Sequence, residues 1–121
     1  MGKLSKSLGN LGEDMAVKHL NENGYRVLDR NFRSNQGEID IIAEDGDVLS
    51  FVEVKNYSFR SYGCPLGAVR KSKRENIIHA ARTYLYKKNI KDRSCRFDVL
   101  SIYWKSIEER TIELIKDAFR L

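Results

Sequence analysis

Gly37-Glu38-Ile39-Asp40 and, thirteen positions after that aspartate, Glu53-Val54-Lys55 bracket the stretch from which the fold of this chain can be worked out. Both pieces lie in apolar, strand-like runs, Ile39 to Ala43 and Val48 to Val54. Charged side chains in such runs are costly to bury unless paired or metal-bound. Between the runs stands Glu44-Asp45-Gly46-Asp47, and its Asp-Gly pair signals a hairpin. A turn at Asp45-Gly46 sets Asp40 opposite Phe51, Glu38 opposite Glu53 and Gln36 opposite Lys55. Residues directly opposite share a sheet face, as do residues two apart along a strand. Glu38, Asp40, Glu53 and Lys55 are therefore expected on one face, with Asp40 and Glu53 as diagonal neighbours roughly 7 Å apart.

Working outward, Leu8, Leu11, Met15, Ala16 and Leu20 recur at helical spacing and predict a helix over 7–23, capped by Gly24. Tyr25 to Phe32 reads as a first strand, with Tyr25, Val27 and Asp29 assigned to one face and Leu28 to the other. The run from Tyr57 to Leu66, with Ser58, Ser61, Gly63 and Pro65, reads as a loop. Its Tyr57, Phe59, Arg60 and Tyr62 suit either stacking on unpaired bases or packing over the core edge. A second helix is expected over 67–88, with Val69, Ile77, Ala80, Ala81, Tyr84 and Leu85 as its buried stripe. Arg70, Lys71, Lys73 and Arg74 decorate its start. Lys73 falls on the apolar stripe itself, so it either points toward a site or snorkels to solvent. Cys95 to Trp104 and Glu109 to Ile115 read as fourth and fifth strands. This order gives one α/β domain over 1–121, a mixed central sheet flanked by helices.

Among the 121 residues, 22 Lys and Arg against 17 Asp and Glu give a net charge of +5, which permits nucleic-acid binding without establishing it. No stretch reaches the eighteen or so apolar residues of a membrane span, so no membrane role is expected. The first seven residues lack the apolar core of an export signal, and the cytoplasm is the expected compartment. Cys64 and Cys95 have no partner at zinc-ligand spacing and are expected to be reduced thiols. The chain has no phosphate-binding glycine loop and no nucleophile elbow, which leaves nucleotide hydrolysis and serine chemistry without support.

Clustered carboxylates repel one another and call for a cation. Magnesium and manganese take hard oxygen ligands, usually one or two carboxylates with water and substrate phosphate. Asp40 and Glu53 are the expected ligands, with the carbonyl of Val54 as a third. Lys55 beside them would orient an attacking water and offset charge on a phosphate. A lone Glu-x-Lys is usually a solvent-facing ion pair on an edge strand. Here the apolar flanks Phe51, Val52 and Val54 and the register-matched Asp40 favour a site. Glu38 reads as an outer ligand or a rim carboxylate, and Glu13, from spacing alone, as a helix-surface acid.

Gly12-Glu13, Gly24-Tyr25, Asn31, Gly37-Glu38-Ile39-Asp40, Phe51-Val52-Glu53-Val54-Lys55, Lys73 and Arg96-Phe97-Asp98-Val99 together resemble the YraN family. That family of small bacterial endonuclease-like proteins belongs to the PD-(D/E)xK nuclease superfamily, with archaeal Holliday-junction resolvases as relatives. The resemblance implies a restriction-endonuclease-like αβββαβ core. It also implies a Mg²⁺- or Mn²⁺-dependent site with Asp40 and Glu53 as ligands, Lys55 as catalytic lysine and Glu13 as a helix-borne acid. The implied substrate is nucleic acid, DNA before RNA, possibly branched or damaged, gripped by Arg60, Arg70, Lys71, Lys73 and Arg74. The alternative is a non-catalytic nucleic-acid-binding module with a vestigial or partner-dependent site. Cutting a four-way junction would call for a homodimer. Two departures stand out: Ile39 where the superfamily has proline, and Tyr57 where many members have a basic residue. Arg60 or Lys73 would have to take over that second position's grip.

Overall fold

The chain alternates helix and strand because its apolar periodicity does. In the computed structural model, which describes residues 2–58 and 71–119 with the side chains of 2–9, 58, 71 and 72 left aside, these patterns become seven elements. They are α1 (Gly2–Glu22), β1 (Tyr25–Arg33), β2 (Glu38–Asp45), β3 (Val48–Ser58), α2 (Lys71–Lys87), β4 (Cys95–Trp104) and β5 (Arg110–Phe119). The expected loop over 57–66 starts later than its composition predicts, because Tyr57 and Ser58 continue β3, level with Tyr103 and Trp104 of β4; the rest of that loop and the start of the second helix, with Val69, lie outside the described residues. α1 begins five residues earlier than its apolar stripe predicts. It ends where expected, at Gly24, whose φ of +86° is open to glycine at low cost.

The strands form one sheet in the order β1-β2-β3-β4-β5. Neighbours are antiparallel except β3 and β4, which are parallel and joined through α2. A parallel pair needs such a crossover, and its strands are covered on both faces. β4 accordingly buries Phe97 to Ile102 without interruption. α1 lies on one face, where Ala16 and Leu20 pack with Tyr25, Ile41, Ala43, Val52, Leu100, Ile102 and Trp104. α2 covers the other with Ile77, Ala80, Ala81 and Tyr84 against Ile39, Ile42, Leu49, Phe51, Phe97 and Val99.

The hairpin register differs from expectation. Its two turn residues are Gly46 and Asp47, because Gly46 takes a left-handed φ of +60° as the first turn residue. Asp45 therefore pairs with Val48, and Phe51 pairs with Ile42 instead of Asp40. The offset is two residues, so every side chain keeps its face. Gln36 is not in a strand opposite Lys55. It lies in the turn before β2, where its N–H donates to Ser34 Oγ at 3.3 Å. On β1, a register shift between Val27 and Asp29 puts Asp29 on the α2 side, where its carboxylate accepts from Tyr84 Oη at 3.2 Å. β5 runs on to Phe119, past the expected Ile115, with its own irregularity at Asp117 (φ +58°).

Two irregularities meet at Asp40. Ile39 packs on the α2 side and Ile41 on the α1 side, although residues two apart should share a face. The reversal falls between the pairs Phe32↔Ile39 and Arg30↔Ile41, where Asn31 holds a φ of +54°. On the other side of β2, pairing with β3 stops at Ile41↔Val52, while β3 stays paired to β4 through Ser58↔Trp104. The two strands part at Asp40 and Glu53.

Candidate metal centre

Asp40 and Glu53 face each other across the gap that opens between β2 and β3. Asp40 Oδ2 accepts the N–H of Val54 at 2.8 Å, so a side chain satisfies a backbone donor that a strand would otherwise take. Glu53 is only 5% exposed, and Lys73 Nζ of α2 lies 2.5 Å from its Oε1. With Gly37, Glu38, Asn76 and Ile77, these three line a cleft of about 340 Å³. Gly37 is required there, since a methyl group on it would overlap the Asn76 carbonyl oxygen of α2.

The electrostatics follow from crowding. Burial pushes the Asp40 carboxyl up, and the adjacent Glu53 charge adds to it; despite the opposing Val54 N–H bond, it reaches about 7. Burial disfavours the Lys73 charge, but the hydrogen bond and charge of Glu53, with Asp40 and Glu38 beyond, outweigh it and hold Lys73 above its ordinary value. Of the two openings for Lys73, facing a site or snorkelling, the structure has it do both: its ammonium reaches Glu53 while the residue stays half exposed.

Glu13 approaches from α1. Gly12 lets the helix close on β3, for a methyl group there would overlap the Asn56 side chain, itself fixed by a 2.9 Å bond from Trp104 Nε1. Burial raises the Glu13 carboxyl, as do Glu38 and Asp14, while Arg30 and a hydrogen bond from Asn31 oppose them. Its Oε1 is buried without a hydrogen-bond partner among the described residues. Glu38 sits at the rim, 42% exposed, with Arg33 Nε at 3.8 Å.

Lys55 lies on the face of Glu53, roughly 7 Å further along β3. It is level with Ser101 of β4, half-buried, and in no ion pair among the described residues. Arg74 is exposed on α2. Arg60, Arg70 and the side chain of Lys71 fall outside the described residues. So do Phe59, Tyr62 and Cys64; Cys95 is a free thiol, raised by burial.

The donor set is hard: two carboxylates and neighbouring backbone oxygens. Among the described residues, no three His, Cys, Asp or Glu side chains are grouped to hold a metal ion. The pair alone fits a cation that completes its shell with water and substrate oxygens, as magnesium does.

Two features had no role assigned from the sequence. Asn31, opposite Asp40, entered only as part of the family pattern, and its one local signal is asparagine's tolerance of the left-handed region. The second is an ionic network on the α1 side. Asp98, fully buried, accepts from Arg96 Nε (2.8 Å), Tyr25 Oη (2.9 Å), Ser50 Oγ (2.5 Å) and the N–H of Asp117 (2.8 Å). Arg96 also reaches Asp45 Oδ2 at 2.7 Å. Burial alone would raise Asp98, yet these bonds outweigh it and hold the carboxyl below its ordinary value. Two charges alternating in the apolar run of β4 were a visible hint of it. Every oxygen there is satisfied, so the network is structural.

Comparison with known proteins agrees with the breadth of the sequence resemblance. The model of "Uncharacterised protein family UPF0102" matches residues 12–102. The chain is similar to the UPF0102 protein of Clostridium kluyveri, at 44% identity over 122 residues covering all of both chains. It is also similar to that of Syntrophus aciditrophicus, 48% over 113 residues, covering 93% of this chain and 88% of the relative. A third, from Acetivibrio thermocellus, is 45% identical over 119 residues, 94% of this chain and 92% of its own. Among the described residues, no helix is long and apolar enough to cross a membrane.

Proposed function

We propose that this chain, which belongs to the UPF0102 (YraN) family, is a divalent-metal-dependent endonuclease hydrolysing DNA phosphodiesters, with branched or damaged DNA as its substrate class. One observation carries the proposal: the carboxyl groups of Asp40 and the buried Glu53 brought together at the point where β2 and β3 part. Carboxylates so placed hold either a proton or a cation. Asp40, Glu53 and the Val54 carbonyl are the groups that would hold Mg²⁺ or Mn²⁺. When bound, the metal supplies Lewis acidity, which activates water and offsets charge on the leaving oxygen.

The chain's own residues account for the rest. Lys55, further along the same face, offsets charge on the phosphate and orients the attacking water. Glu13 extends the acidic wall from α1. Lys73 neutralises Glu53 in the resting protein and is free to turn to a phosphate once another cation takes over. Arg74, exposed on α2, meets the DNA backbone, as do Arg60, Arg70 and Lys71, which lie in or at the border of the undescribed stretch. The setting is cytoplasmic, and a four-way junction as substrate would require a homodimer.

Incubating the protein with Mn²⁺ and a panel of linear, nicked and four-way DNAs tests the reading. Cleavage by the wild type and none by Asp40→Asn or Glu53→Gln is the expected result. No wild-type cleavage, or equal cleavage by the variants, sinks it.

The Lys73–Glu53 ion pair favours a second reading, because the chain already supplies a counter-ion to Glu53. This is a non-catalytic nucleic-acid-binding module whose acidic site is vestigial or completed by a partner. It predicts salt-dependent DNA affinity that survives Asp40→Asn and Glu53→Gln, with no Mn²⁺ uptake by calorimetry.

A further inference from the structure

We infer that Asn31 is a positioning residue for the acidic cluster, its left-handed backbone setting Asp40 in the gap between β2 and β3. Its bearing on metal uptake rests on the metal-dependent reading above. β1 and β2 keep one register from Arg33↔Glu38 to Asp29↔Ile42, with only Asn31 and Asp40 left unpaired within it, so no residue is inserted or lost near Asp40. Within that register the faces nevertheless reverse. On β2 the reversal lies between Ile39 and Ile41; on β1 it lies between Phe32, packed on the α2 side, and Arg30, paired with Asp14 of α1 at 2.9 Å.

Both reversals centre on one cross-strand position, Asn31 and Asp40. A strand can reverse its faces without losing register only if one residue leaves the extended region, and Asn31 is that residue, with a φ of +54°. The half-turn it imposes releases Asp40 from the ordinary pleat. Its carboxylate can then enter the gap toward Val54 and Glu53. Left-handed backbone costs most side chains on the order of 1–2 kcal/mol, with glycine and asparagine the usual exceptions.

Two variants test this. Asn31→Gly keeps the left-handed backbone at no cost, and Asn31→Ala does not. The metal-free measurement is hydrogen exchange at the Val54 amide, whose acceptor is Asp40. Exchange about tenfold faster in Asn31→Ala, and at the wild-type rate in Asn31→Gly, is expected. Equal protection in all three proteins overturns the positioning role, whatever the metal does. Mn²⁺ affinity by calorimetry should follow the same order, with Asn31→Gly at the wild-type level and Asn31→Ala weaker. A wild-type protein that takes up no Mn²⁺ and cuts no DNA removes the nuclease reading, and the Val54 amide still decides the positioning role in that case.

Discussion

Burial and the neighbouring Glu53 let the Asp40 carboxyl hold its proton to a higher pH in the folded chain than in the unfolded one. With its carboxyl raised from about 4 to about 7, the native state binds more protons than the unfolded state across that window, so stability falls as pH rises through it. Asparagine at this position would keep an oxygen for the Val54 N–H and offer Glu53 an N–H in place of a second negative charge. Asp40→Asn is therefore expected to be about 1–3 kcal/mol more stable than the wild type at pH 8 and near it at pH 5, read from urea unfolding in EDTA. Parallel pH profiles for the two proteins would contradict this account. Lys73→Met leaves Glu53 buried without its counter-ion, at a cost of about 1–3 kcal/mol at pH 8. Mn²⁺ should then raise the variant's melting temperature more than the wild type's; an equal shift would mean that Lys73 and the metal do not compete. At this scale the sequence was legible where a charge broke an apolar pattern, as at Asp40, Glu53 and Lys73. Glu13 emerged only through family resemblance, since its importance depends on α1 closing over Asn56 and no local spacing encodes that.

At the scale of elements, period carried most of the information. β4 was legible end to end, and the α2 stripe from Ile77 to Tyr84 is buried as its spacing demanded. The hairpin register was not legible, because Asp45-Gly46-Asp47 offers glycine as either the second or the first turn residue. Only the geometry of the formed turn selects between them. Since the alternatives differ by two residues, the face assignment of Asp40 and Glu53 survived the error. The bulges near Asp29 and Asp117 were illegible because a bulge is fixed by the partner strand. Helix placement depends on an equally local contact, the approach of Gly37 to Asn76. Gly37→Ala must push α2 off β2, with an expected cost of about 1–3 kcal/mol and a weaker hold of Lys73 on Glu53. Thermal unfolding at pH 8 checks the first, and a crystal structure of the variant the second.

Across the whole molecule, the sheet is locked at one end and parted at the other. The Asp98 network ties residues of all five strands together, through Tyr25, Asp45, Ser50, Arg96 and Asp117. Asp98→Ala leaves Arg96 half-paired and three donors unsatisfied, and should cost about 3–5 kcal/mol by chemical denaturation. A loss under 1 kcal/mol would show that the network is dispensable. No window of sequence contains that network, so its membership could not be read in advance, although Arg96 and Asp98 hinted at it. The parted end has a consequence of its own. Beyond Val52, β3 has a raw edge in the middle of the sheet, with β4 on one side and, among the described residues, no strand on the other. An exposed edge invites another chain to pair with it. The Asp40 carboxylate, seated on the Val54 amide, plugs that edge at its first open rung. The carboxylate proposed as a metal ligand also discourages the protein from zipping onto its neighbours. An alanine there would remove the plug along with the charge, and asparagine is thus the cleaner way to silence the site.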